Sequence, residues 1–356
     1  MEKFIDENYS RRTDHRFHAL GCPISPDFGR SRREANREYS RMKKKQPWAT
    51  QTDIAWTICL HRAGIIPREK AAKVLGALDR VRDVEEGVSG EERLVKVLDG
   101  DMDTASIVNY GRTLQEPMYR MKMRDKLIDV IGDLLDLMDL THKTAMDNLD
   151  TVMVGHTHMN HAQPITWAHY LVTTFDGFLR SLKQLEMAYG FTNVNSGGCG
   201  SCSGTTWPVD RELMAELLGL DGVMEPTFDC EAAQDHSLAI MFALSNLAIH
   251  ISRYSRNQYI WAFDEFDMFR THPSMCGMSS YMPQKCDPCS MFEWAGIFAS
   301  DVLGEMVKGA IQMKGEPHAD VQAAFQLPFV TADCMVHAQA CITAYHDMLK
   351  HAIPQK

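Results

Sequence analysis

Two adjacent serines, Ser279 and Ser280, stand in a stretch rich in Gly, Ser and Pro, with Lys285 shortly after them. A serine acts as a base only where backbone N–H groups, a nearby cation and exclusion of water stabilise its oxyanion. A loop that closes over substrate supplies those conditions, and an ordinary surface loop with turn serines has the same composition. His156, His158 and His161 form a second cluster, beside Thr157 and Gln163. It holds no Asp or Glu and no HExxH spacing, which argues against a metal. Hydrogen bonding to a substrate, with one histidine relaying a proton, suits a polar cluster at a helix junction; His156 and His161 singly suit interhelical packing. Cys199–Cys202 and Cys286–Cys289 are CxxC pairs, but 83 residues separate Cys202 from Cys286. That spacing disfavours a shared metal site and leaves redox pairs or small filler residues.

These groups fall on breaks in a helical pattern. Between Cys230 and Arg270 the positions Ile240, Leu244, Leu247, Ile251, Tyr254, Gln258 and Trp261 repeat in steps of four and three, which is a bundle seam with one polar member. A single helix over that segment would be on the order of 60 Å long. Similar seams run through Leu127, Ile131, Leu134 and Met138, through Ala299, Leu303, Met306, Ala310 and Met313, and through Cys334, Ala338, Cys341, Tyr345 and Met348. With an apolar helix from about Ile165 to Tyr189, the reading is all-α with five long helices. A small N-terminal helical domain is expected at 1–110 and the bundle at 111–356. In the former, Asp53 is expected to cap a helix that Gly64 ends, Pro67 to open another, and Glu85–Gly100 to be a connector. The polar breaks are Gly111–Pro117, Gly155–Pro164, Asn195–Pro208 and Thr271–Pro288.

Composition narrows the class. Of 356 residues, 37 are basic and 47 acidic, and 45% are hydrophobic, so a large core is expected and nucleic acid and anionic membrane are poor partners. The first 45 residues carry 12 basic against 7 acidic groups, an arm suited to docking on the acidic body. No apolar run has the length of a membrane span or a leader, and the 10 cysteines suit a reducing compartment. A cytoplasmic location is expected.

Four stretches together resemble the aspartase/fumarase superfamily, in its argininosuccinate lyase-like branch. GMSSYMPQKCDP resembles the mobile loop of that superfamily, and GHTHMNHAQPITWAH is similar to the branch's Thr-His-containing segment. SGGCGSCSGTTWPVDRE and AWTICLHRAGIIPREKAAKVLGALDRV match two more of its segments, so the resemblance covers nearly the whole chain. It implies a central five-helix bundle that assembles into a homotetramer, with active sites shared between subunits. It also implies anti β-elimination from an N-succinyl-type small molecule to give fumarate and an amine, with neither metal nor organic cofactor.

Carried over by position, Ser279 would be the base, and Thr157 and His158 would contact substrate and support proton transfer. Gln163 would support them, and Thr113, Gln115, Gln284, Lys285 and Asp287 would line the substrate site, with Lys285 on a carboxylate. The chain departs from the pattern at Thr113-Leu114-Gln115, where the branch has Ser-Arg-Asn, at Asp287 in place of Asn, and at His236 near an expected Arg. The family's small C-terminal helical domain is expected to be absent, because the sequence stops at Lys356. The alternatives are a lyase for a different amino-dicarboxylate, of diamine-disuccinate or aspartase type, and a catalytically silent homologue.

Overall fold

A computed structural model describes residues 47–81, 90–113, 117–276, 281 and 290–355. Five long helices form the body: α5 (Met118–Met146), α6 (Trp167–Thr192), α9 (Asp235–Trp261), α10 (Met291–Lys314) and α11 (Gln322–Lys350). They follow the shorter α1 (Pro47–Arg62), α2 (Arg68–Val81), α3 (Gly90–Val97) and α4 (Met102–Ala105). The remaining helices, α7 (Arg211–Leu218) and α8 (Asp229–Ala232), lie in the connection between α6 and α9. The all-α bundle expected from the seams is the observed fold.

The seams explain how it packs. Leu127, Leu134, Ile240, Leu244, Leu247, Ile251, Cys334, Cys341, Tyr345 and Met348 are all buried in one core. Successive long helices run antiparallel: the Arg120 guanidinium near the start of α5 donates to the Phe191 carbonyl near the end of α6 at 2.9 Å. Farther along, Phe178 of α6 meets Tyr254 of α9 with ring centroids 5.9 Å apart. The polar seam member is accounted for: Gln258, fully buried, donates to the Tyr345 hydroxyl at 2.7 Å. On α10 the buried line runs through Ala295, Ala299, Val302 and Gly309, whereas Leu303 and Met306 are only partly covered.

A second core gathers Trp56, Leu60, Val74, Leu78, Leu94 and Ile107 from the first helices. Met121 of α5 and Met214, Ala215 and Leu218 of α7 are part of it.

Several local expectations are corrected. Asp53 is no cap; it lies inside α1 and is buried, because two arginines from later segments reach it. The Glu85–Gly100 stretch contains α3, in which Glu92 and Lys96 face water while Leu94 and Arg93 are buried, Arg93 against Asp53. The segment from Cys230 to Arg270 is not one 60 Å helix. α8 and a break at Ala233–Gln234 precede α9, whose 27 residues span about 40 Å.

The polar cluster 155–164 does separate two bundle helices, as expected, but with extended backbone of its own. It belongs to an antiparallel hairpin of β1 (Val152–Thr157) and β2 (Asn160–Thr166), which links α5 to α6. A second small pair, β3 (Phe269–Thr271) with β4 (Ala352–Pro354), ties the chain after α9 to the end of α11.

Candidate active site

The candidate residues are carried at both ends of the bundle. At one end the hairpin turns through His158 and Met159, with Thr157 paired to Asn160. Both turn residues have left-handed backbone, φ 51° and 63°, the conformation of a type I′ turn and one that side chains other than Gly, Asn or Asp rarely adopt. Such strain is held only where the surroundings impose it, and it marks the turn as a functional candidate. Thr157, His158 and Gln163 are exposed on the chain. The register slips between Val154 and His156. Gly155 sits at the slip because a Cβ there would come within 2.8 Å of the Gln163 carbonyl oxygen.

His156 has a different fate from His158. Its ring packs against His161, Trp261 and Phe266, with centroids 5.4, 6.4 and 5.8 Å away, and fastens the hairpin to the end of α9. The segment entering the third loop starts from the same end, where Phe269 stacks on Trp167 at 6.1 Å. Ser279, Gln284, Lys285 and Asp287 lie outside the described residues, as do Ser280, Cys286 and Cys289.

The opposite end carries Thr113 and the 195–208 loop. Gly111 has φ 68°, and a Cβ on it would fall 2.7 Å from the Trp207 ring, so the first and second loops are in contact. Beneath them Arg112 is anchored by Asp53, which also meets Arg93 at 3.4 Å; the Arg112 Nε donates to the Val108 carbonyl at 2.8 Å. This buried trio fixes the backbone directly ahead of Thr113. Gln115 and Leu114 lie outside the described residues.

The second loop folds on itself: Asn195 receives the Gly197 N–H at 2.8 Å and donates to the Arg211 carbonyl at 2.9 Å. Cys199 and Cys202 are buried in this loop, and burial pushes the Cys202 thiol up, away from reactivity.

At this end Tyr119, Arg120, Ser196, Glu231, His236 and Asp320 line a narrow cleft with room for about one water. Burial lowers the Arg120 guanidinium to about 10, while Asp235, Cys230 and Glu231 oppose that shift. Burial, then the neighbouring Arg120, holds His236 well below its ordinary value, so its ring is neutral. Neither Arg120 nor Glu231 stands out in the sequence, because each sits in an ordinary helical context.

Helices of 26 to 29 residues separate the two ends by about 40 Å. The chain therefore places Thr113 at the same end of the bundle as the His236 cleft, and it does not bring either to Thr157, His158 or Gln163.

A family model described as "Lyase" matches residues 31–304, the span that includes both loops, the hairpin and the third loop. The chain belongs to the aspartase/fumarase superfamily of lyases, in its argininosuccinate lyase-like branch. It is 31% identical over 282 residues to the argininosuccinate lyase of Methanothermobacter thermautotrophicus, covering 75% of this chain and 60% of that protein. To the argininosuccinate lyase of Desulforamulus reducens it is 31% identical over 314 residues, covering 83% and 67%. The chain thus spans 60 to 67% of the length of these relatives.

Among solved structures, an EDDS lyase variant with bound fumarate superposes with a TM-score of 0.82 at 24% identity, over 95% of this chain and 68% of that one. The 3-carboxy-cis,cis-muconate lactonizing enzyme of Pseudomonas putida gives 0.73 at 18% identity, over 90% and 75%. At those identities the likeness is one of fold.

Proposed function

We propose that this chain is a lyase that performs anti β-elimination on an N-succinyl-type small molecule, releasing fumarate and an amine. The observation that carries the reading is the single family match from 31 to 304, which takes in Thr113, Thr157, His158, Ser279 and Lys285 together. In the proposed reaction Ser279 removes a proton from the carbon next to a carboxylate. The electron pair moves into that carboxylate and forms a doubly charged aci-carboxylate. Its collapse makes the C=C bond and breaks the C–N bond on the neighbouring carbon, and the departing nitrogen takes a proton.

Charge grows on the carboxylate during the first step, so a cation such as Lys285 and aligned N–H groups stabilise the transition state more than the ground state. Thr157 and His158 hold substrate and relay the proton, with Gln163 behind them. Thr113, Gln115, Gln284 and Asp287 complete the substrate contacts. The separation of about 40 Å between the hairpin and Thr113 supports a site assembled from more than one subunit of a homotetramer. A soluble, cytoplasmic enzyme without metal or organic cofactor fits the same reading.

The test is absorbance of fumarate released from a panel of N-succinyl amines and amino acids. Release from at least one is expected, and release from none removes the reading. The residues at 114, 236 and 287 favour a substrate other than argininosuccinate, because two expected arginines and an asparagine are replaced there.

A further inference from the structure

Three rings clamp His156 at the inner side of the hairpin. Its imidazole lies nearly parallel to Trp261, with 27° between the planes, while His161 and Phe266 meet it at 77° and 60°. Trp261 is itself fixed: the Tyr170 ring of α6 meets it edge-on with centroids 4.6 Å apart, and the Asn257 amide donates to the Tyr170 hydroxyl at 3.1 Å. Backbone bonds close the same unit. The Met268 N–H donates to the Trp261 carbonyl at 3.0 Å, and the Trp167 N–H to the Thr151 carbonyl at 2.9 Å.

Both nitrogens of the His156 ring are buried with no hydrogen-bond partner among the described residues. A neutral imidazole carries one N–H and one lone pair, and leaving both unmet costs free energy that a hydrocarbon ring would not incur. What the ring contributes at this position is shape and stacking. The next residues differ from it: Thr157 and His158 are exposed, and His158 opens the left-handed turn at φ 51°. Such backbone persists where flanking contacts over-determine it, and His156, paired across the hairpin with His161, is the last packed residue ahead of the turn.

We propose that His156 is a positioning residue, whose stack against Trp261 and Phe266 fixes the hairpin turn and, through it, the Thr157 and His158 side chains. The ring takes no part in proton transfer. A ring without nitrogens therefore serves as well at 156, and a side chain without a ring does not. The inference rests on the lyase reading for the work that Thr157 and His158 do, whereas the hold on the turn is measured without any substrate.

The experiment compares the full-length wild type with His156→Phe and His156→Ala. Hydrogen exchange followed by mass spectrometry reads the amides of residues 152–166 against those of α6. In His156→Ala, exchange across the hairpin is expected to rise about tenfold or more while the body of α6 keeps its rate. In His156→Phe the hairpin is expected to exchange no faster than in the wild type. On a substrate found in the fumarate panel, His156→Ala is expected to lower kcat about tenfold or more with a smaller change in KM, because proton relay demands closer placement than binding. His156→Phe is expected to keep kcat within about twofold. If His156→Ala does not fold, His156→Leu, apolar but without a ring, takes its place with the same expectations.

Unchanged hairpin exchange in the variant without a ring overturns the proposal, and so does raised exchange with wild-type kcat. A kcat in His156→Phe as low as in the variant without a ring also overturns it, because the nitrogens would then be needed. If the wild type turns over no member of the panel, the lyase reading falls, and the exchange rates still decide whether His156 sets the turn.

Discussion

Three side chains carry separable expectations. Ser279→Ala is expected to remove most turnover through kcat more than KM, since an alcohol that only takes a proton contributes little to ground-state binding. Steady-state kinetics on a substrate found in the fumarate panel checks it, and near wild-type kcat would transfer the base role to His158. Asp287 stands where the family pattern has Asn, and an ionised carboxylate facing a substrate carboxylate weakens it. Asp287→Asn should therefore tighten fumarate and flatten any gain in affinity as pH falls. Titration of both proteins at two pH values reads this directly, and equal affinity in all four conditions means that Asp287 faces elsewhere. Asp53 is buried between Arg112 and Arg93. Asp53→Ala leaves two guanidinium groups without their carboxylate, and a loss of about 3–5 kcal/mol is expected in urea unfolding. A loss below about 1 kcal/mol would show that water or a neighbour replaces the carboxylate.

Among the elements, the hairpin before α6 is where local conformation and chemistry meet. His158 and Met159 both hold left-handed backbone, which costs each an amount of about 1 kcal/mol that Gly would not incur. Met159→Gly is thus expected to raise the melting temperature, while turnover is retained if the turn serves only to present Thr157 and His158. A lower melting temperature in differential scanning calorimetry would mean that the half-exposed Met159 side chain is itself covered by another subunit. The first loop follows the same logic from its other side. Gly111 lies against Trp207, and Arg112 is pinned by Asp53 and the Val108 carbonyl, so the backbone just ahead of Thr113 is held by the N-terminal helices. Neither arrangement was visible beforehand. The Gly155–Pro164 cluster read as a polar junction because alternation over so short a strand is weak. Asp53 read as a cap because its arginine partners lie 40 and 59 residues away.

At the scale of the whole molecule, the long helices leave apolar side chains uncovered. Val172, Leu179 and Met187 on α6, Phe242 and Ile249 on α9, and Ile297, Val307 and Ile311 on α10 are all exposed on the single chain. Scattered exposed residues need no explanation, but repeated ones along neighbouring helices of a bundle call for a cover. A homotetramer is expected, and light scattering should return about four times the 40.3 kDa chain mass. A monodisperse, active monomer at micromolar concentration would contradict both the assembly and the shared site.

The sequence by itself determined the bundle and its seams. Apolar residues recurring in steps of three and four have one way to leave water together, and the buried line from Ile240 through Ile251 follows it. It also determined the family, since Thr157, His158 and the Ser279–Lys285 loop keep their types and order. Tertiary structure decided what spacing cannot encode. It put the hairpin and Thr113 at opposite ends of helices about 40 Å long, and it placed Arg120 beside His236. It also left Nδ1 of that histidine without a donor. A periodic pattern reports which face of a helix is buried, whereas the partner of a buried charge is set by how separate helices meet, and that meeting has no signature within one helix.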